Sequence, residues 1–263
     1  MTPLTVKGIT VSPPETSSNN WGCKLTACGR VPFISTTHLH HLFPYVPDPM
    51  PAVENLDVLE LGAGSGLPGL SFARQYAPRS LTLSDYPDRS ILLTLRSNIA
   101  RNVHFFAPHV MMRVVGHVWG DDSSVTLESA SEALTATELG SHDIIIAADI
   151  LWQSEQHLNL LRTLKSHLRT PDGIVFLVSG LHTGRSVIAG FLDKASSAGF
   201  TIRMVCEARL VQEGRCAEDE ESTVEFRRGF SLEVAGETRA DRSLWVVEIV
   251  LGYPHSQDIP GST

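Results

Sequence analysis

The sequence predicts an α/β fold: a mostly parallel sheet of seven strands, helices on both faces, and an antiparallel pair at the end of the chain. Two observations lead to it. From residue 57 onward, short apolar runs alternate with stretches of helical period, and a run of glycines directly follows the first apolar run. Strands separated by helices of this length imply right-handed crossovers and a covered parallel sheet. The size agrees, since 263 residues at 42% hydrophobic content suffice for one substantial core and suit one moderate domain better than two small ones.

Taken in order, residues 1–56 are rich in proline and keep no sustained period, which predicts an irregular N-terminal arm with at most one short helix over 36–43. The domain proper spans 57–263. Residues 57–61 read as a strand, the glycines as a tight turn, and 67–77 as a helix. The alternation continues with a strand over 81–83, a helix over 89–101 and strands over 110–115 and 144–148. A helix over 154–168, a strand over 174–178 and a helix over 186–198 follow. Residues 123–140, rich in Ser, Thr, Ala and Glu, read as a surface loop with a short helix. The β-branched stretches 200–210 and 243–251 have no helix between them and read as the terminal antiparallel pair. Between them, 211–242 is a charged insertion with an acidic run at 218–221 and a further strand pair around 226–234. It reads as a solvated insertion, or as a flap over the substrate.

The charge balance excludes several classes. With 21 Lys and Arg against 29 Asp and Glu the formal charge is -8, and no basic stripe is present to neutralise phosphates, so nucleic acid is not expected as a partner. No apolar run approaches the roughly 18 residues that cross a bilayer, and residues 1–8 lack the basic and apolar regions of a signal peptide. A cytoplasmic protein with no membrane partner is expected. Cys23, Cys28, Cys206 and Cys216 form no CxxC pair, which predicts reduced thiols. His38 and His41 would share a helix face near His40, but no Cys or carboxylate at ligand spacing completes a zinc set, so no metal is expected. Neither a Gly-x-Ser-x-Gly elbow nor a Walker lysine occurs.

The segment Val58-Leu59-Glu60-Leu61-Gly62-Ala63-Gly64-Ser65-Gly66-Leu67-Pro68-Gly69 carries most of the chemistry. Glycines after a strand let backbone amides approach a ligand closely, and Pro68 is placed to open a helix. Gly64-x-Gly66-x-x-Gly69 also satisfies the dinucleotide fingerprint, so spacing alone admits a nicotinamide-dependent oxidoreductase as well as S-adenosylmethionine. Charge separates the two. A pyrophosphate favours a positive surround, yet the nearest charged residue is Glu60 and no Lys or Arg follows until Arg74. S-adenosylmethionine has no phosphate and carries a sulfonium and an ammonium, which a carboxylate at the strand end suits. Asp85, 19 positions after Gly66 at the end of the next strand, is placed to accept from both ribose hydroxyls. The bland alternative is a bare strand-to-helix turn with Asp85 as a helix cap.

Glu60 to Gly69, then Ser84-Asp85-Tyr86-Pro87, Val118-Trp119-Gly120 and Asp149-Ile150-Leu151-Trp152, resemble the successive motifs of the seven-strand methyltransferases, whose sheet is Rossmann-like. Within these the chain is most similar to the family of lysine-specific protein methyltransferases, which also holds fungal nicotinamide N-methyltransferase-like proteins and elongation factor 1A methyltransferases. The resemblance covers about residues 57–251. It implies that Glu60, Gly62, Gly64 and Gly66 line the methionine part of the cofactor, that Asp85 holds the ribose and that Trp119 lies against the adenine. Tyr86 and Ala148 complete the implied cofactor set. Asp149 falls at the end of the fourth strand, where ligands of such sheets sit. Three departures bear on the substrate: Trp152 stands where the family has Tyr or Phe, residues 179–185 lack the Pro and basic residue of the elongation factor branch, and Trp21-Gly22 and Phe33 match the family's N-terminal pattern only weakly.

Methyl transfer from a sulfonium is an in-line displacement, so alignment and exclusion of water matter more than acid-base groups. An amine acceptor must first lose a proton, and lysine's ordinary pKa of about 10.4 is lowered in an apolar mouth. Asp149 is expected to orient that amine, Trp152 to wall the channel, and His182, after the fifth strand, to serve as a base. A pyridine or imidazole acceptor would need no deprotonation and would use the aromatic contact for stacking. The expected activity is S-adenosylmethionine-dependent N-methylation of a protein lysine or N-terminal amine, with a translation factor as one substrate and a monomer as the working form. A small-molecule methyl acceptor and a non-catalytic cofactor-binding protein stand as alternatives.

Overall fold

Apolar runs as continuous as 144–148 and 174–178 leave no polar face for water, so they must be covered on both sides. The computed structural model describes residues 3–6, 8–13, 53–127, 133–210, 224–242 and 245–254. The first part of the chain forms β1 (Leu4–Val6), β2 (Ile9–Val11), β3 (Asp57–Leu61), α1 (Leu67–Tyr76), β4 (Ser80–Asp85), α2 (Arg89–Asn102), β5 (Met111–His117), β6 (Ser124–Leu127) and β7 (Leu134–Thr137). The second part forms β8 (Ile144–Ala148), α3 (His157–His167), β9 (Ile174–Gly180), α4 (Arg185–Ser197), β10 (Thr201–Leu210), β11 (Val224–Arg228), α5 (Arg239–Arg242) and β12 (Trp245–Gly252). Strands β1 and β2 pair as a hairpin, and the other ten make one sheet in the order β11-β10-β12-β9-β8-β3-β4-β5-β6-β7.

The five central strands are parallel, with Val58 opposite both Leu81 and Ile144, and Ile144 opposite Ile174. Strand β12 runs antiparallel between β9 and β10, as expected of the terminal pair. Alternate residues serve the two faces. Val58, Ile146 and Phe176 meet Leu67, Leu70 and Leu95 of α1 and α2, while Leu59, Ile145 and Leu177 meet Leu160, Leu164 and Phe191 of α3 and α4. Helix α2 starts at Asp88, whose carboxylate accepts the amides of Ser90 and Ile91.

Where the sequence predicts seven strands, the sheet has ten. Residues 124–127 and 134–137, expected within a loop with a short helix, form the β6-β7 hairpin at one edge. Its threonines explain the difference: β-branched side chains favour an extended edge, and Thr126 Oγ1 donates to Val114 O of β5. At the other edge β11 pairs with β10, Cys206 opposite Arg228, in place of a strand pair around 226–234. The arm also departs from the irregular expectation, since Ile9 and Val11 are fully buried in the core under α1 and α2. The helix expected over 36–43, with His38, His40 and His41, lies outside the described residues, as do Trp21, Gly22, Phe33, Cys23, Cys28, Cys216 and the acidic run 218–221.

The described part of the insertion is anchored. Arg185, at the start of α4, donates from Nε and Nη2 to Glu237 at 2.9 and 2.7 Å, from Nη2 to Glu207 at 2.9 Å, and from Nη1 to Ser231 O at 2.9 Å. All three charged side chains are buried. At the N-terminal edge of the parallel strands, Arg79, Ser80 and Arg169 donate to Asp57, tying β3, β4 and the turn before β9.

Candidate active site

The chain proceeds from β3 through β4 to β5 on one side and then returns to β8 and β9 on the other, so the carboxyl ends of β3 and β8 border the crevice where strand order reverses. Ligands of open α/β sheets bind at such a point. Into it lead the glycine loop, the ends of β4 and β5, the turn after β8 and the 181–183 turn after β9.

Gly62, Gly64 and Gly66 all have left-handed backbone, with φ of 62°, 54° and 78°. Gly62 shows why a side chain is excluded: a Cβ there would lie 2.6 Å from Ile150 Cγ2 and 3.5 Å from the Trp119 ring. The loop is held from below and beside. Gly64 N–H donates to Asp85 Oδ2 at 2.6 Å, and Tyr86 N–H donates to Asp85 Oδ1 at 2.7 Å. Each Asp85 oxygen thus accepts one amide and keeps a lone pair for a further donor. Burial pushes the Asp85 carboxyl upward, against those two amides.

Glu60 is only 1% exposed. Its Oε2 accepts Gly69 N–H in the first turn of α1 at 2.9 Å, and a Cβ on Gly69 would lie 2.5 Å from the same oxygen. This corrects the expectation that Glu60 lines the cleft, for its carboxyl group lies beneath the loop, accepting the Gly69 amide. Burial raises its pKa to about 8, with the Gly69 hydrogen bond opposing and the neighbouring Asp85 charge adding to the rise. Two carboxylates that burial makes costly to ionise favour a cationic ligand above them.

Asp149 has φ 56°, outside the region most side chains adopt. Its amide donates to Val178 O at 2.7 Å, and its Oδ1 accepts Gly180 N–H at 3.2 Å, so the ends of β8 and β9 are joined at this carboxylate. Trp152 is 42% exposed and Tyr86 47%, Ala148 is half-buried, and His182 is exposed on its turn. Leu151, beside Trp152, is held by the buried His157, whose Nε2 donates to Leu151 O at 2.8 Å. Trp119 is partly buried and packs on the α3-α4 side of the core, next to Gly62. Its turn is fixed by Gly120 N–H, which donates to Thr163 Oγ1 at 2.8 Å. Asn98 and Asn102 of α2, which bond the 10–12 segment and the glycine loop, are not among the residues the sequence motifs single out. Their signal was two asparagines four apart on an apolar helix face, where Asn is a poor helix former.

A family of lysine methyltransferases matches residues 14–192. The chain belongs to this family. It is therefore an S-adenosylmethionine-dependent methyltransferase, and the nicotinamide reading of the glycine loop is set aside. This methyltransferase is 30% identical over 190 residues to the protein N-terminal and lysine N-methyltransferase EFM7 of Gibberella zeae, covering 67% of this chain and 71% of that one. The EFM7 of Yarrowia lipolytica is 29% identical over 191 residues, 66% of each chain. The mouse protein-lysine N-methyltransferase EEF2KMT is 34% identical over 111 residues, 41% of this chain and 31% of that one. In fold the methyltransferase is similar to the magnesium protoporphyrin IX methyltransferase of Synechocystis with bound SAH, at TM-score 0.50 and 11% identity, with 91% and 90% of the two chains covered. The residues at the crevice fit S-adenosylmethionine, since each Asp85 oxygen accepts one amide and keeps a lone pair for a hydroxyl beside the glycine turn.

Proposed function

We propose that this enzyme methylates an amine of a protein, a lysine ε-amine or an N-terminal α-amine, and that a translation factor is its substrate. The buried Glu60 beneath the glycine turn and the half-buried Asp85 beside it carry the cofactor side of this reading. The relatives' names support the acceptor side. The bound cofactor supplies an electrophilic methyl group on a sulfonium. The chain's own residues hold and align. In this reading the backbone of Gly62, Gly64 and Gly66 borders the methionine part, Asp85 accepts the ribose hydroxyls with its free lone pairs, and Glu60, protonated below about pH 8 in the free protein, ionises beneath the bound cation. Trp119, Tyr86 and Ala148 form the walls around the base and the sulfur.

On the acceptor side Asp149 is the orienting group. A carboxylate locked between two strand ends accepts amine hydrogens in a fixed direction, which aligns the nitrogen lone pair with the departing methyl group. Trp152 walls the approach and disfavours the ammonium form, and His182 takes the proton at the rim. Exposure of Trp152, Tyr86 and His182 suits an acceptor presented by a macromolecule. We place the enzyme in the cytoplasm and working as a monomer.

The test has two arms. Calorimetric titration with S-adenosylhomocysteine, with NAD as control, is expected to show micromolar binding that Asp85→Ala abolishes. Incubation with labelled S-adenosylmethionine and a cell extract is expected to label a protein band with the wild type and not with Asp149→Asn. Label found solely in dialysable molecules would overturn the protein acceptor, and preference for NAD would overturn the cofactor assignment.

A further inference from the structure

Asn98 lies in α2 with none of its surface exposed, and its amide is fully used. Oδ1 accepts Ser12 N–H at 2.9 Å, and Nδ2 donates to Ser12 O and to Ser65 O, each at 2.9 Å. One turn later Asn102, 1% exposed, repeats half of this pattern. Its Oδ1 accepts Thr10 N–H at 2.9 Å, and its Nδ2 donates to Thr10 O and Asn98 O, both at 2.7 Å. Residues 10 and 12 present their amides and carbonyls on one edge of the β2 segment, and two asparagines four apart on a helix lie along that edge in place of a partner strand. The hairpin is further seated by Ile9 and Val11 in the core and by Arg101 Nη1, which donates to Ser12 Oγ at 2.8 Å.

The two asparagines differ in one respect: Asn98 alone reaches the glycine loop. Ser65 stands between Gly64 and Gly66, the most freely rotating neighbours a residue can have, and its carbonyl is fixed by Asn98 while Gly66 N–H donates back to Ala63 O at 2.6 Å. Without that bond a loop of three left-handed glycines would have to be ordered at the moment of binding, at a cost in affinity. We propose that Asn98 is a positioning residue for the cofactor, through which the N-terminal hairpin holds the glycine loop in its binding shape. Residues 8–13 are then part of the cofactor site although they do not border the crevice. The inference rests on the cofactor reading above.

Asn102 supplies the control, because it holds the same hairpin and does not touch the loop. Full-length wild type, Asn98→Ala and Asn102→Ala are titrated with S-adenosylhomocysteine at a temperature where all are folded. Asn98→Ala removes two bonds to Ser12 and the one to the loop, and loss of that last bond is expected to weaken binding about tenfold and to raise KM for S-adenosylmethionine with kcat little changed. Asn102→Ala is expected to lower the melting temperature and leave Kd within about twofold. Hydrogen exchange on the wild type needs no variant: saturating S-adenosylhomocysteine should slow the amides of 9–13 together with those of 62–69, because coupling is reciprocal. Equal Kd for the two variants, or protection confined to 62–69, would overturn the proposal. Absence of binding to the wild type would instead overturn the cofactor reading on which it rests.

Discussion

Glu60 holds its proton to about pH 8 in the folded protein because burial outweighs the Gly69 amide. A folded-state value raised above the unfolded one contributes stability that is full below about pH 4.5 and is lost as pH rises through 8. Glu60→Gln keeps an oxygen for the Gly69 amide and carries no charge. It should therefore melt higher than the wild type at pH 8.5, melt within a degree or two of it at pH 4, and bind S-adenosylmethionine about tenfold more weakly. A lower melting point at pH 8.5 would show that the charge is supported by something other than the ligand. Asp149 allows a similar separation. Asn tolerates its left-handed backbone, whereas Ala there costs about 1 kcal/mol. Asp149→Asn should keep melting temperature and S-adenosylhomocysteine affinity while kcat falls at least about tenfold. Asp149→Ala should lose the same activity and some stability besides. Unchanged turnover in the Asn variant would remove Asp149 from the acceptor site.

At the scale of elements, the insertion is fastened to α4 by one guanidinium. Hydrogen bonds donated to Glu237 and Glu207 raise the Arg185 pKa further above its ordinary value, and the two carboxylates have little contact with water. Removing one partner of a buried ionic group leaves uncompensated charge at a cost of about 3 to 5 kcal/mol, so Arg185→Met should lower the melting temperature by more than about 6 °C. Replacing Arg185, Glu207 and Glu237 together with apolar residues should recover most of that loss. A drop under 2 °C in the single variant would mean that residues 229–242 are not held this way. The hairpin shows the opposite economy, since two neutral amides seat β2 and no charge is buried.

Across the whole molecule, acid sensitivity follows from the groups away from the crevice. Burial lowers the His142 pKa to about 4; its Nδ1 has no partner, and Nε2 lies 3.4 Å from Thr82 Oγ1. The unfolded chain takes up this proton first, so stability declines as pH falls from about 6.5 to 4, by up to about 1.4 kcal/mol per pH unit. Burial pushes the Asp57 carboxyl up, but hydrogen bonds from Arg79, Ser80 and Arg169 hold it well below the usual range, and its contribution is lost below about pH 3.8. Glu60 gains stability over the same interval, so the readout is a difference: the urea midpoint of His142→Leu relative to that of the wild type should rise as pH falls from 7 to 5. A constant difference would remove His142 from the acid response.

The parallel strands, their covering helices and the glycine loop were legible because each is a local pattern. An apolar run without a polar face has to be buried, and glycine at a left-handed turn announces itself. Asp85, Asp149 and Trp152 were legible by their distance from those strand ends. The place of Glu60 beneath the loop was not legible, because a strand residue faces one side of a sheet or the other only once the helix above it is placed. The seating of β2 on α2, the fastening of the insertion by Arg185 and the clamp of Asn98 on Ser65 join residues from 22 to 92 positions apart. No local period encodes such pairs. The amino-acid sequence by itself thus determined the sheet, the cofactor loop and the class of chemistry, since these depend on short-range pattern and residue type. The tertiary structure alone decided which segments hold that loop in shape, because a hydrogen bond between distant residues exists only after packing brings donor and acceptor within 3 Å.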